Sequence, residues 1–535
     1  MEVHDFIVVG SGCTGAMSAQ TLVEKGEEVL MLDGGITEDH YRNLQPQKNF
    51  TSIRQEEKDQ HAYFLGDKFE SIPESSLGTG AQLTPVRQYL IAETEKYLPI
   101  ISEAFQPMES LALGGLGGGW GLGCCVFSGN ELKLAGLDPS RMNEAYQVVA
   151  DRIGICSEND DARKFTGAFL KGLQSPPKAG ATAEVLLENY SSKKNSLNQN
   201  GFYLGRPALA LLTADKNGRK ASSFRDMDFY DDPEKAAYRP SYTIGELMKK
   251  SNFRFEGGWL ITDFSEKENT IEVNAMKIGT NEKKTFVCRK LILASGVLGT
   301  ARIVLRSHTN GKNVKLPLLC NPYTYLPCVV TSRLGKEFPQ AETGFAQLSL
   351  FHDADGTESD VAMASLYTYR SLLLYRLLRE TPLNFKDGRI FMKHLLPALL
   401  IAGIHHPEKT NSANSLQLIN DATSLTGDKL NCGYRNAFDE NVRAREKKFR
   451  SALKKLGARA LKTVHPRIGA SIHYAGVLPF SSTEKEFSLH PSGRLHGSKN
   501  IFVADGSGFS FLPAKGLTLS LMANAHNVAS NSIAG

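Results

Sequence analysis

From Phe6 to Asp33 the chain reads as a strand, a glycine turn, a helix and a second strand in unbroken succession, an order that admits few folds. Phe6–Val9 is a short, wholly apolar run of the kind that forms a parallel strand buried on both faces. Gly10-Ser11-Gly12-Cys13-Thr14-Gly15 follows at once, Ala16–Lys25 reads as a helix stopped by Gly26, and Glu28–Leu32 is a second apolar strand ending in Asp33-Gly34. Each piece has a physical task. Gly10 permits a tight turn, Gly12 lets the backbone approach a pyrophosphate, and Gly15 lets helix and strand pack closely. The N–H groups at the helix start, around Cys13 and Thr14, have no partner in the helix and favour phosphate. Asp33, beside Gly34, stands where a carboxylate accepts hydrogen bonds from ribose hydroxyls. The unit predicts an α/β fold with a Rossmann-like dinucleotide-binding domain. Alone it does not separate FAD from NAD; its place at the N-terminus leans towards FAD, because the rest of the chain must wrap back to complete the site.

At 535 residues the chain exceeds one hydrophobic core, so two interleaved domains are expected. The motifs divide it into 1–35, 105–150, 240–315 and 465–535 for the cofactor, and 151–239 and 316–464 for the substrate. Charge is mixed, 62 basic against 57 acidic side chains, and a net +5 gives no footing for nucleic-acid binding. No cysteine pair has CxxC spacing, so reduced structural thiols are expected and no metal site. Met1–Asp5 enter the first strand without a leader pattern, and no window approaches the roughly 18 apolar residues of a membrane span. A cytoplasmic chain is expected. The longest apolar run, Leu395–Ile404, suits a buried strand or a pocket wall.

Beyond residue 35 the sequence is polar and irregular, with a helix expected at Val86–Glu95. "MESLALGGLGGGWGLGCCVFSG" (Met108–Gly129) is then dense in glycine. So much backbone freedom is costly to order, and it makes sense where the chain passes a large flat group. Strand-like runs occur at Asn252–Phe255, Leu260–Phe264, Thr270–Ile278 and Thr285–Cys288, as a short β-meander. Arg289–Ser307 then reads as a buried strand, Leu291–Ala294, a Ser-Gly turn and a helix. Residues 321–435 alternate strand and helix patterns without metal-ligand spacing, and adjacent His405 and His406 read as ordinary core or surface histidines. The aromatic and aliphatic residues of 363–404 suit an apolar pocket or a membrane-facing mouth, and equally a buried core. Near the end, "PRIGASIHYAGVLPF" sets His473 among small residues, and "IFVADGS" gives a strand into Asp505-Gly506, followed by a helix from about Leu517.

These segments, in this order, resemble the glucose–methanol–choline (GMC) oxidoreductases. The resemblance implies a Rossmann-like FAD domain with an interleaved α+β substrate domain on an antiparallel sheet, like that of p-hydroxybenzoate hydroxylase. It implies that Gly10, Gly12, Cys13, Thr14, Gly15, Asp33 and Gly34 hold the ADP moiety, with Leu260 near the adenine. Gly115, Gly118, Gly119, Trp120 and Gly123 would lie along the isoalloxazine and pyrophosphate. Asp505 and Gly506 would meet the ribityl and phosphate groups, with Gly516 and Thr518 beside the ring.

"GGLGGGWG" is similar to the branch holding pyranose oxidases and sugar-acid dehydrogenases, some of which link flavin through a histidine before the tryptophan. Here that neighbour is Gly119, so non-covalent FAD is expected. The family's reaction is hydride transfer from a CH–OH group to flavin N5, and His473 matches its active-site base. A neutral imidazole suits that task at neutral pH. The family's second group, Asn or His before the last helix, is replaced by Gly516, and either Lys515 swings in as a cationic stabiliser or a water fills the gap. That gap leaves open a flavoprotein with non-alcohol redox chemistry, or a weakly active flavin-binding assembly partner. A small alcohol or sugar is the expected substrate, and oxygen, a quinone and a carrier protein all remain open as acceptor.

Overall fold

The computed structural model describes residues 2–38, 48–49, 52–53, 56–69, 83–225, 232–309, 311–337, 343–368, 382–435 and 437–534. Its organising element is a seven-stranded sheet. Phe253–Gly257, Val29–Asp33, Val3–Val9 and Lys283–Leu293 lie side by side and parallel, and Ile501–Val503 joins the last of them, also in parallel. Ile271–Lys277 and Trp259–Glu266 extend the sheet as an antiparallel meander.

Alternation explains why the central stretches of these strands, Phe6–Val9, Val29–Leu32 and Leu291–Leu293, are apolar at every position. Phe6 and Val8 enter one core, packed by helices Cys13–Glu24, Pro139–Ile153 and Thr518–Ala534, while Ile7 and Val9 enter the core on the opposite face. Met31 and Leu32, and Ile292 and Leu293, divide in the same way. Each such fully buried aliphatic side chain contributes about 1.5–3 kcal/mol relative to exposure.

Two details depart from the sequence-based expectation. Thr285–Cys288 and Leu291–Ala294 are parts of one strand, Lys283–Leu293. The polar pair between them does not break the ladder, because Arg289 reaches out to Asp5 and the Lys290 ammonium donates to the Ser532 carbonyl at 2.6 Å. The helix expected at Val86–Glu95 is instead a 3-10 turn, Pro85–Ile91, and a single helical turn, Thr94–Tyr97. Glu93 between them has φ +64°, which no continuous right-handed helix accommodates.

A second, six-stranded sheet is wholly antiparallel, in the order Ala458–Ala460, Tyr323–Val330, Leu399–His405, Ala362–Thr368, Leu348–His352, Phe202–Gly205. One face packs Leu326, Cys328, Leu350, Ala364, Leu400 and Ile404 against helices Ala181–Asn198 and Glu440–Lys455. The other face stays open towards the parallel sheet. Leu395–Ile404 forms a 3-10 turn around Pro397 and then this strand, and part of the 363–404 stretch, 369–381, lies outside the described residues. Among the described residues no helix is long and apolar enough to cross a membrane.

Candidate active site

A continuous cavity of about 830 Å³ runs between the two sheets, within the roughly 300–1,000 Å³ of small-molecule and cofactor sites. Its floor is the row of residues at or just past the ends of the parallel strands: Gly10 after Val9, Asp33 closing Val29–Asp33, Ala294 after Leu293 and Asp505 near the end of Ile501–Val503. Ligands of open α/β sheets bind at this edge.

Three helices begin on the same wall. Cys13 and Thr14, Val297 and Leu298, and Thr518 are the first residues of helices of 12, 11 and 17 residues, and all line the cavity. Their unpaired N–H groups and aligned dipoles make this wall hospitable to phosphate.

The glycines here stand where side chains will not fit. A methyl added at Gly15 would sit 1.8 Å from the Gly10 carbonyl oxygen, so Gly15 sets helix-to-strand packing and does not itself line the cavity. Gly12, by contrast, borders the cavity and meets only one protein atom at 3.9 Å, the cradle a side chain would fill. Gly114 donates its N–H to Ser11 Oγ at 2.8 Å, which ties the glycine-rich middle segment to the first turn. Gly115, Gly119, Trp120 and Gly123 line the cavity, whereas Gly118 is turned against Leu90 and Tyr89. The Trp120 indole is fixed by donation to the Tyr238 carbonyl at 2.8 Å.

Of the acidic groups, Asp33 accepts the N–H of Ser11 at 2.8 Å and of Gly35 at 2.7 Å. Burial outweighs these donors and raises its carboxyl to about 6. Asp505 is held by Ser507 and by Thr300 Oγ1 at 2.6 Å, which joins the terminal segment to the Val297–Ser307 helix. Gly34, Leu260, Gly506, Gly516 and Thr518 also line the cavity.

Lys515 does not swing in. Its ammonium is fully buried, paired with Glu131 at 2.8 Å and donating to the Val126 carbonyl at 3.3 Å, and it does not border the cavity. A buried carboxylate without its cation is costly, and that demand holds the lysine in place. Gly119 offers no side chain for a covalent link. Burial pushes the two cavity cysteines, Cys13 and Cys125, up to about 12 and about 11, which keeps them as thiols.

His473 lines the same cavity, and its Nδ1 is 3.0 Å from Asn321 Oδ1. The amide orientation is settled by its other end, because Asn321 Nδ2 donates to the carbonyls of His406 and Leu512 at 2.8 and 3.1 Å. Oδ1 can only accept, so His473 carries its proton on Nδ1 and leaves the Nε2 lone pair bare. Burial lowers its pKa to about 4. A neutral ring with an open Nε2 is equipped to take a proton.

Several cavity residues have no local sequence signal. Tyr323, Tyr325, Ser349, Met363, Ser365, Tyr367 and Ile401 come from the open face of the antiparallel sheet. His405 joins them and stacks on His473, with ring centroids 4.7 Å apart and planes inclined by 17°. It therefore belongs to the site and is not an ordinary core or surface histidine. His406 points the other way, as adjacent strand residues must, to Thr324 Oγ1 at 3.2 Å. Also on the lining, Arg302 makes a paired contact to Glu109 at 2.6 and 2.9 Å.

Fold and site together define a mixed α/β chain whose parallel strands open on a cofactor-sized cavity roofed by an antiparallel sheet. Among solved structures, pyridoxine 4-oxidase from Mesorbium loti has a similar fold. It is 12% identical, with a TM-score of 0.59, and the match covers 99% of each chain. No family model matches the chain, and no curated protein matches it in sequence.

Proposed function

We propose that the chain is an FAD-dependent oxidoreductase of the GMC kind that oxidises a CH–OH group of a small molecule, with His473 as the base. One observation carries this reading: a single cavity joins a phosphate-suited wall of three helix starts to a histidine whose Nε2 is left bare. The residues fit the cofactor. Gly10, Gly12, Cys13 and Thr14 would hold the pyrophosphate, Asp33 the ribose, and Gly115–Gly123, Asp505, Gly506 and Thr518 the flavin half, without a covalent link.

When bound, FAD supplies the acceptor for the hydride leaving the α-carbon. The chain's own residues do the rest. Asn321 holds His473 in the Nδ1–H form, Nε2 receives the hydroxyl proton, and the tyrosine-lined roof excludes water and orients the C–H bond. The fold neighbour's name, an oxidase, agrees with this class of chemistry.

Anaerobic mixing with a panel of alcohols and sugars tests the proposal. At least one should bleach the bound flavin, and His473→Ala should slow that bleaching by about 10²–10⁴-fold. An unchanged rate in His473→Ala would remove the base from the mechanism.

A further inference from the structure

The cavity holds a second histidine that the base does not explain. His405 lies on the strand Leu399–His405, in the parity of Ile401 and Gly403, and so on the open face of the antiparallel sheet. Its ring is sandwiched between His473 at 4.7 Å and Tyr323 at 4.3 Å. Gly403 makes room for that tyrosine, since a methyl there would meet its hydroxyl at 2.1 Å.

The two ring nitrogens of His405 have different surroundings. Nδ1 is shut away from solvent and meets no hydrogen-bond partner among the described residues, which leaves Nε2 as the polar edge towards the cavity. A buried N–H without an acceptor is rarer than a buried acceptor without a donor. The proton therefore sits on Nε2. Burial and the neighbouring histidines press its pKa well below the usual value, so a second proton is disfavoured.

His473 has the opposite assignment, fixed by Asn321. The same Asn321 amide donates to the His406 carbonyl, which locks the end of the His405 strand to His473. Two stacked imidazoles thus present one bare lone pair and one N–H to the same space. A hydroxyl group needs both: an acceptor for its proton, and a donor for the oxygen as negative charge develops there.

We infer that His405 is a catalytic residue, the N–H donor that holds and stabilises the substrate oxygen while His473 Nε2 takes its proton. This assignment rests on the alcohol-oxidising reading of the cavity. It places the donor on the antiparallel sheet and not at Gly516, which borders the cavity without a side chain.

Two measurements test it. In flavin-loaded protein, His405→Leu should slow anaerobic bleaching by an alcohol about 10²–10³-fold, the usual loss for one donor to an oxyanion. His405→Gln, which keeps an N–H, should recover at least tenfold of it. Bleaching by His405→Leu at the wild-type rate, with His473→Ala inactive, would overturn the assignment and spare the function. Nitrogen NMR of histidine-labelled protein reads the tautomers without turnover. Nε2–H on His405 with Nδ1–H on His473 is expected, and Nδ1–H on His405 would overturn the donor role. A flavin that no alcohol bleaches would instead overturn the functional reading, and the paired tautomers then stand or fall on the NMR alone.

Discussion

The two walls of the cavity are made of different material. The wall on the parallel sheet is backbone: glycines, strand ends and helix starts, with Asp33 and Asp505 tied into main-chain and hydroxyl hydrogen bonds. The wall on the antiparallel sheet is side chain, including three tyrosines, two serines, a methionine, an isoleucine and His405. A backbone wall recognises groups common to many nucleotides and tolerates no added volume. A side-chain wall can be rebuilt one residue at a time without touching the hydrogen-bonded frame behind it. Under the proposed function, cofactor binding and substrate choice fall to separate sheets.

The sharpest way to break this contrast is to add volume to the backbone wall. Gly15→Ala should lose soluble, flavin-bearing protein altogether, a cost of about 4 kcal/mol or more, because the new carbon meets the Gly10 carbonyl at 1.8 Å. Expression and bound-flavin content check it; wild-type yield and colour would contradict it.

The buried pair behind the wall comes next. Lys515→Met should cost about 3–5 kcal/mol of stability by stranding Glu131, and Lys515→Met with Glu131→Leu should restore most of it. Denaturant unfolding measures both. A folded Lys515→Met protein that binds flavin but bleaches no alcohol would return the lysine to the chemistry.

The sequence made the two walls legible to different degrees. Phe6–Asp33 was readable because the Phe6–Val9 run, buried on both faces, is apolar at every position, and because the helix must carry glycine at 15, where the Gly10 carbonyl sits 1.8 Å from the absent side chain. The antiparallel wall offers no such unit. Its cavity residues come a few at a time, mostly at alternate positions, from strands beginning at 323, 348, 362 and 399, and only the sheet brings them together. His405 illustrates the point. Alternation shows that His405 and His406 face opposite ways, but Ile401 on the cavity side is as apolar as Leu400 on the core side. Nothing local says which histidine borders the cavity. Lys515 misled for the converse reason: its neighbour Gly516 does border the cavity, and only the buried Glu131 shows that the lysine points elsewhere.

Acidity probes the junction of the walls. With the His473 pKa lowered to about 4 by burial, the ring stays neutral well below the usual value near 6.5. Flavin reduction should be level from about pH 8 to pH 5 and fall only as pH drops through about 4. Stability has the same sign: the unfolded chain takes up the proton first, so this histidine's contribution is complete above about 6.5 and is lost as pH falls towards 4. Pre-steady-state bleaching across pH checks the first statement, and a midpoint near 6.5 would show a solvated base.

The smallest effect should come from the side-chain wall. Tyr367→Phe should change stability by less than about 1 kcal/mol, leave flavin content intact and shift KM between substrates more than kcat. Equal loss of bound flavin would show that the roof also holds the cofactor.

The central claim is that this cavity is an FAD site, and the purified chain answers it directly. Its absorbance spectrum should be that of a flavin, and acid should release one FAD per chain with none left attached. Colourless protein that neither binds added FAD nor gains thermal stability from it would contradict the account.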